Sequence, residues 1–427
     1  MQFNTRCLQA GYEPGNGDPR QIPIYQNTTW YFDSSEHMAD IFNLEAAGYF
    51  YSRLSNPTCD AVAARLAALE GGAAAVLTAS GQTACFFSVF NICQAGDHLI
   101  STSQVYGGTY NLFAVTLPKM GVEVTFVDAD ASLEELQKAI RPNTKCVFGE
   151  TLSNPSLKVL DIEKFAALAK SAGVPLIVDN TFPTPFNCRP IEHGADIVVH
   201  STTKYLDGHA AQLGGVIIDS GNFDWLAQGD KFPGLTAPDN SYHGLVFAEQ
   251  FGPAAYVTKI VTSLHRDLGA PASPQNAFIL GMNIESLPVR MQRHIDNAQA
   301  IAEYLDENPN VKSVNFPGLK ANPENALAAK YFDNAGGCGV ISFELQGSRE
   351  GAVVFLDALR VARIATHVAD ARTCVLHPAS TTHRQLSDEQ MLAAGVSPTM
   401  VRISVGIEDV RDLIAGLESA LKTAFSR

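Results

Sequence analysis

Residues 175–180 read PLIVDN and residues 194–209 read GADIVVHSTTKYLDGH. Each holds a short unbroken apolar run that ends abruptly in polar residues. A strand that is apolar at every position is buried on both faces, as in a parallel sheet covered by helices. Residues 214–219, GGVIID, read the same way. Working back towards the N-terminus, residues 98–101, 122–127 and 145–149 read as short strands, and 73–78 as an apolar run. Helical spacing appears between them, at 60–70 (DAVAARLAALE, stopped by Gly71-Gly72), from Ser80-Gly81 to Cys93, and at 162–172 before Gly173. Strand and helix alternate, which predicts an α/β sandwich, doubly wound.

In open α/β sheets, ligands sit at the carboxyl ends of strands. Four such ends carry chemistry. Asp179 closes PLIVDN, Ser201-Thr202-Thr203-Lys204 follows DIVVH, Glu150 closes KCVFGE, and Ser80-Gly81 opens a helix after a strand. A glycine-containing helix start offers free N–H groups and a positive dipole end to a phosphate. Hydroxyls of Ser201 and Thr203 add donors. A lysine beside a phosphate can form an imine, and a neighbouring carboxylate can hold a pyridine nitrogen protonated. These are the parts of a pyridoxal phosphate site. Taken singly, each has a plainer reading. A strand-end aspartate serves as a cap, and a loop lysine is solvated. Asp179 and Lys204, on successive strand ends, are informative as a pair.

Other cofactor patterns are missing. No G-x-G-x-x-G follows a strand, and no G-x-x-x-x-G-K-[ST], H-E-x-x-H or G-x-S-x-G occurs. His377 and His383 are six apart, which does not suit one helical face, so no metal is expected.

The wider composition is that of a globular protein. The chain has 427 residues, 46% apolar and 17% charged, with mean hydropathy +0.02. That length suggests two or three domains. Thirty basic against 44 acidic residues leave a net charge of −14, and no basic run is present. Nucleic acid and anionic membranes are therefore not expected as partners. The N-terminus lacks the order of a signal peptide and no apolar run reaches 18 residues, so a cytoplasmic protein is expected. None of the eight cysteines forms a C-x-x-C pair. Most read as buried thiols, and all eight are expected to lie outside the site. Residues 1–60 are poor in aliphatics and read as an arm, 61–270 as the large domain, and 271–427 as a smaller α+β domain. Within the large domain, 221–245 reads as a surface excursion.

The motifs TRCLQAGYEP, PIYQNTTWYF, YSRLSNPT, ASGQTA, YGGTYNLF, ETLSNPSL, PLIVDNTF, GADIVVHSTTKYLDGH, HPASTTHRQL and VRISVGIED occur in order from Thr5 to the end. In these the chain resembles the Cys/Met-metabolism family of pyridoxal phosphate enzymes, of fold-type I (aspartate aminotransferase-like), and within it the O-acetylhomoserine sulfhydrylase branch. The resemblance implies a mainly parallel sheet in the large domain. It implies that Lys204 holds the cofactor as an imine and shuttles protons, and that Asp179 partners the pyridine nitrogen. Ser80, Gly81, Gln82, Ser201 and Thr203 would hold the phosphate. Tyr106 would stack on the ring and assist proton transfer, and Asn154 would lie near the phenolic oxygen. Arg402 would clamp the substrate carboxylate, with Asn154 and His367 beside the substrate. Glu150 would support the site from its strand end. Tyr51 and Arg53 would reach the phosphate of a neighbouring subunit, in a homotetramer built as a dimer of dimers.

The implied activity is γ-replacement on O-acetyl-L-homoserine by sulfide or methanethiol, giving L-homocysteine or L-methionine and acetate. A γ-lyase of methionine or cystathionine, or an O-succinylhomoserine sulfhydrylase, are the alternatives. Gly108 stands where methionine γ-lyases carry cysteine, and residues 222–244 resemble the sulfhydrylase branch. Gln82 stands where the family often has methionine, though the sulfhydrylase branch also uses glutamine, and His367 stands where many sulfhydrylases have asparagine and γ-lyases have serine.

Overall fold

The computed structural model describes residues 1–334, 336–381, 384 and 397–425. Seven strands form the first sheet: β1 (Ala74–Thr78), β2 (His98–Thr102), β3 (Glu123–Val127), β4 (Thr144–Glu150), β5 (Leu176–Asp179), β6 (Ile197–Ser201) and β7 (Gly215–Asp219). Their order is β1-β7-β6-β5-β4-β2-β3. Strands β3, β2, β4, β5 and β6 pair in parallel, whereas β7 runs antiparallel to both β6 and β1. The apolar reading of 214–219 is right about burial, since every residue of β7 is buried. It does not carry the strand's direction, because a strand covered by helices on both faces is equally apolar whichever way it runs.

The helices start and stop where local chemistry dictates. Pro57–Glu70 begins with Asn56, whose side chain accepts from Thr58 N–H, and Pro57 fills the first turn. It ends at Gly71 with φ 84°, a left-handed cap that costs glycine nothing. Its face of Val62, Leu66 and Leu69 seals one side of the sheet. Gly81–Phe90 is capped by Ser80, whose hydroxyl accepts from Thr83 N–H at 3.1 Å.

Residues 221–245 lie mostly at the surface, as expected, but the segment is anchored from within. Trp225, Phe232 and Leu235 are buried in the first core. Trp225 stacks on Tyr256, with centroids 5.5 Å apart, and meets Phe232 edge-on at 5.1 Å. Aromatic rings bury large areas from irregular backbone, so their burial leaves no periodic trace. By contrast, much of the N-terminal arm stays exposed, Tyr31 fully so. Its first helix, Phe3–Gln9, seats Cys7 in the first core.

The second sheet has the order β10-β11-β12-β9-β8, formed by β8 (Val311–Asn315), β9 (Val340–Leu345), β10 (Arg363–Ile364), β11 (Cys374–Leu376) and β12 (Met400–Ser404). The helices Arg349–Ala358 and Val410–Phe425 contribute Phe355, Leu356, Leu413 and Leu417 to its core. The change of core does not fall at 270/271. Ala277, Leu280, Leu287, Met291 and Ile295 belong to the first core, and Ala298, Ile301 and Leu305 to the second. The single helix Leu287–Asp306 therefore spans both. Among the described residues no helix is long and apolar enough to cross a membrane.

Burial also sets a pH dependence. Asp219 ends β7 with Oδ1 accepting from Gly221 N–H and Oδ2 buried without a partner. Burial raises its carboxyl to about 7. A carboxyl whose folded value is raised binds its proton more tightly in the folded state. Stability is then full at acid pH and is lost as pH rises from the unfolded value towards 7. Asp219→Asn removes that loss, so it should raise the unfolding midpoint at pH 8, by up to roughly 4 kcal/mol of stability, and change little at pH 4. Denaturant melts at the two pH values check this.

Candidate active site

The parallel register places the chemistry at one end of the first sheet. Glu150 on β4 lies directly opposite Asp179 on β5, and Ser201 closes the next strand. Lys204 follows in the turn after β6, with its N–H on Ser201 O. Its ammonium has no carboxylate within ion-pair distance among the described residues. Burial first, and then the Arg402 guanidinium, push the Lys204 amine below the usual lysine range.

Asp179 is buried, and its two oxygens differ. Oδ1 accepts from Thr181 N–H at 3.0 Å and from the Thr181 hydroxyl at 2.5 Å. Oδ2 meets only the Cys85 thiol, at 3.7 Å. Burial raises the Asp179 carboxyl, against the pull of Thr181, His200 and Cys85. Oδ2 is thus a buried acceptor with only a weak donor, and an N–H⁺ group is the partner it lacks. The expectation that all cysteines lie outside the site is corrected here. Cys85 touches Asp179, and the Cys374 thiol donates to His367 O at 3.0 Å, close to Arg402 and Lys204. Burial, then Asp179, hold the Cys85 thiol well above its ordinary value, so it is a neutral donor.

Ser201 and the start of the helix Gly81–Phe90 meet closely. A Cβ at Gly81 would stand 2.5 Å from Ser201 Cβ and 2.9 Å from its Oγ. Only glycine permits that approach. Among the described residues the N–H groups of Gly81 and Gln82 take no acceptor, as the first turn of a helix requires. Thr203 is less available than its sequence position suggests. Its hydroxyl bonds both to Gly214 O, at 3.3 Å, and to Gly214 N–H, at 3.2 Å.

Tyr106 is half exposed and precedes the short helix Gly107–Asn111. Its N–H donates to Glu150 Oε2 at 2.6 Å. Burial, then Asp179, raise the Glu150 carboxyl well above the usual range. A Cβ at Gly108 would stand 2.6 Å from Tyr106 Cε1 and 3.3 Å from Gln82 Nε2. A cysteine at 108 is therefore incompatible with this position of the tyrosine ring.

The second sheet delivers Arg402, at the centre of β12 between Leu376 and Ser342. Its guanidinium donates to Asn154 Oδ1 at 3.1 Å and to Thr366 O at 3.3 Å. Burial pulls the Arg402 guanidinium below its usual value. His367 follows Thr366. Its Nε2 is buried without a partner, and burial first, then Lys204, push its imidazole down towards the neutral form.

Tyr51 and Arg53 are not brought to this group. Both are exposed, Arg53 donates to Arg266 O at 2.6 Å, and its guanidinium lies 5.3 Å from the Tyr51 ring. His377 has both ring nitrogens occupied, by Ser380 Oγ and Pro398 O. His383 lies outside the described residues.

Sequence reasoning missed Cys85, Thr181 and Thr109, whose hydroxyl approaches Gln82 Oε1 at 3.3 Å and Cys85 Sγ at 3.9 Å. The signals existed. Cys85 is four residues after Gly81 on one helix, hence on the same face, and Thr181 is two after Asp179, the spacing of a local side-chain turn.

A phosphate cradle, a carboxylate oxygen with only a thiol for donor, a lysine without an ion-pair partner among the described residues and a buried guanidinium match the polar groups of pyridoxal phosphate and of an amino-acid substrate. Comparison with known proteins agrees. The sequence model of the family described as "Cys/Met metabolism PLP-dependent enzyme" matches residues 4–422. The chain is 45% identical to a homocysteine synthase of Schizosaccharomyces pombe, covering 99% of this chain and 98% of the relative. It is 44% identical to an O-acetyl-L-homoserine sulfhydrylase of Leptospira meyeri, covering 98% and 96%. A crystal structure from Campylobacter jejuni, described as an O-acetylhomoserine (thiol)-lyase with a pyridoxyl-lysine phosphate, superposes with a TM-score of 0.94 at 39% identity. It covers 99% of this chain and 100% of that one.

Proposed function

The chain belongs to the Cys/Met metabolism PLP-dependent enzymes, and from that premise we propose that it performs γ-replacement on O-acetyl-L-homoserine, with sulfide or methanethiol as acceptor. The products are L-homocysteine or L-methionine, with acetate. One observation carries the reading. Lys204, without a carboxylate partner among the described residues and with its amine pushed down by burial and Arg402, follows β6, the strand paired with the one that Asp179 closes.

Bound pyridoxal phosphate supplies an electron-withdrawing ring that makes the substrate Cα acidic. Lys204 anchors the cofactor and moves the proton at Cα. Asp179 Oδ2 holds the ring nitrogen protonated, and Thr181 and Cys85 orient the carboxylate. Ser80, Gly81, Gln82 and Ser201 bind the phosphate, and Thr203 does so if its bond to Gly214 yields. Tyr106, anchored by Glu150, covers the ring and assists proton transfer. Arg402 and Asn154 hold the substrate carboxylate, and His367 faces the substrate on the side of Lys204. Tyr51 and Arg53 complete a neighbour's site from the arm of residues 1–60, in a cytoplasmic homotetramer assembled as a dimer of dimers. The large domain and the small one, whose cores meet along the helix Leu287–Asp306, supply the remainder.

Gly108 supports transfer over elimination, because it stands where methionine γ-lyases carry cysteine. The test incubates the protein with O-acetylhomoserine with and without sulfide. Homocysteine formed only with sulfide supports the proposal. 2-Oxobutyrate and ammonia formed without sulfide would replace it with a γ-lyase, and turnover of only the succinyl ester would move the substrate.

Arg402→Ala is expected to raise KM for the amino acid by about 10–100-fold, with a smaller fall in kcat, because it removes charge-assisted hydrogen bonds to a carboxylate that stays bound throughout. Steady-state kinetics at saturating sulfide check it.

A further inference from the structure

Under the strand ends that carry Asp179 and Ser201 lie three polar side chains sealed from solvent. Side chains alternate along a strand, so the neighbours of Asp179 and Ser201 in the chain, Asn180 and His200, point to the opposite face of the sheet. Glu70, the last residue of the helix Pro57–Glu70, meets them there. Its Oε1 accepts from His200 Nε2 at 2.7 Å and from Asn180 Nδ2 at 2.9 Å. Glu70 and Asn180 are 0% exposed and His200 1%. Asn180 Nδ2 also donates to Cys188 O at 2.8 Å.

Packing alone does not account for this group. Glu70 Oε2, His200 Nδ1 and Asn180 Oδ1 are buried without partners. Apolar residues of similar volume would avoid that cost, and a buried ionisable pair adds little to stability by itself. What the group does is join two strand ends from behind. On the front, Thr181 makes the corresponding link: its hydroxyl donates to Asp179 Oδ1 and accepts from Ser201 N–H at 2.9 Å. Asn180 N–H on Val199 O, at 2.9 Å, holds the same two strands together between them.

We propose that Glu70, His200 and Asn180 are positioning residues for the cofactor, a buried clamp that fixes Asp179 and Ser201 relative to one another. The imidazole of His200 is close enough to Asp179 to oppose the upward push of burial on its carboxyl. The other titratable groups around the clamp are Cys188 and Arg189, which face Glu70, and Cys85 and Glu150, which face Asp179 from the neighbouring helix and strand. The inference rests on the reading of Asp179 and Ser201 as cofactor-binding groups.

The test compares the wild-type holoenzyme with His200→Gln and Glu70→Gln. Both keep a hydrogen-bonding group in place and remove the ionisable one. The expected result is a kcat lower by about tenfold with KM for the amino acid within about twofold. A shifted pH midpoint of the cofactor's visible band and weaker retention of pyridoxal phosphate by the apoprotein should accompany it. The double variant Glu70→Gln/His200→Gln covers the case in which a single change fails to fold. Unchanged kcat, band midpoint and cofactor affinity, even with a lower melting temperature, would overturn the inference and leave the clamp purely structural. A wild-type protein with no visible band would instead defeat the underlying reading, so the two failures are distinguishable.

Discussion

Replacing Lys204 with alanine is expected to lower turnover by at least about 10⁴-fold, because one side chain supplies both the covalent anchor and the proton carrier. No neighbour can substitute. The basic side chains that act on it are Arg402, which does not release its proton near neutrality, and His367, whose imidazole burial pushes down. The wild-type amine is prepared for the task. Burial and the Arg402 guanidinium both favour its uncharged form, and only that form can attack or accept a proton. Borohydride treatment of the wild-type holoenzyme should leave the cofactor fixed to the peptide containing Lys204. A peptide map placing it elsewhere would sink the assignment. Apoprotein of Lys204→Ala should still bind pyridoxal phosphate through Ser80, Gly81, Gln82 and Ser201, which separates loss of chemistry from loss of the site.

The second large effect is expected at Asp179. Asp179→Asn keeps the shape and the acceptor that Thr181 N–H requires, yet removes the charge. Two opposite charges about 4 Å apart, partly shielded, attract by about 4 kcal/mol, and losing that support for a protonated ring nitrogen lowers kcat by about 10³-fold. KM should change much less, since Arg402 still holds the carboxylate. Asp179→Glu retains the charge but must push against Thr181 and Cys85, and should recover part of the loss. If Asp179→Asn kept full turnover, the carboxylate would be a turn residue holding Thr181 and nothing more. The Glu150 carboxyl, opposite Asp179 in the register, sharpens the contrast. Burial and Asp179 hold it well above the ordinary range, and it already accepts the Tyr106 N–H, so it is poorly placed to replace Asp179.

Much of this was legible in the residues. The buried strands, the helix start at Ser80, the stop at Gly71, and the polar residues at strand ends follow from local rules, because periodicity, capping and turn chemistry act over a few residues. Asp179, Lys204, Ser80 and Gly81 could be singled out for the same reason: each ends or begins an element in the correct sheet layer. Arg402 is different. It lies at the centre of a strand of the second sheet, where nothing local marks it as functional, and only the motif resemblance drew attention to it. The direction of β7 and the burial of Trp225, Phe232 and Leu235 also escaped local reading, since both are settled by partners distant in sequence.

The sequence by itself determined the family, the α/β class, and the residue types that meet a phosphate, a ring nitrogen and an imine. The tertiary structure decided what those residues face. It put Cys85 against Asp179, Asn154 against Arg402, and Glu70 behind His200, across separations of 94, 248 and 130 residues. Local propensity has no access to such pairs, because they form only when separate elements pack into one core and their burial makes each unpaired polar atom costly.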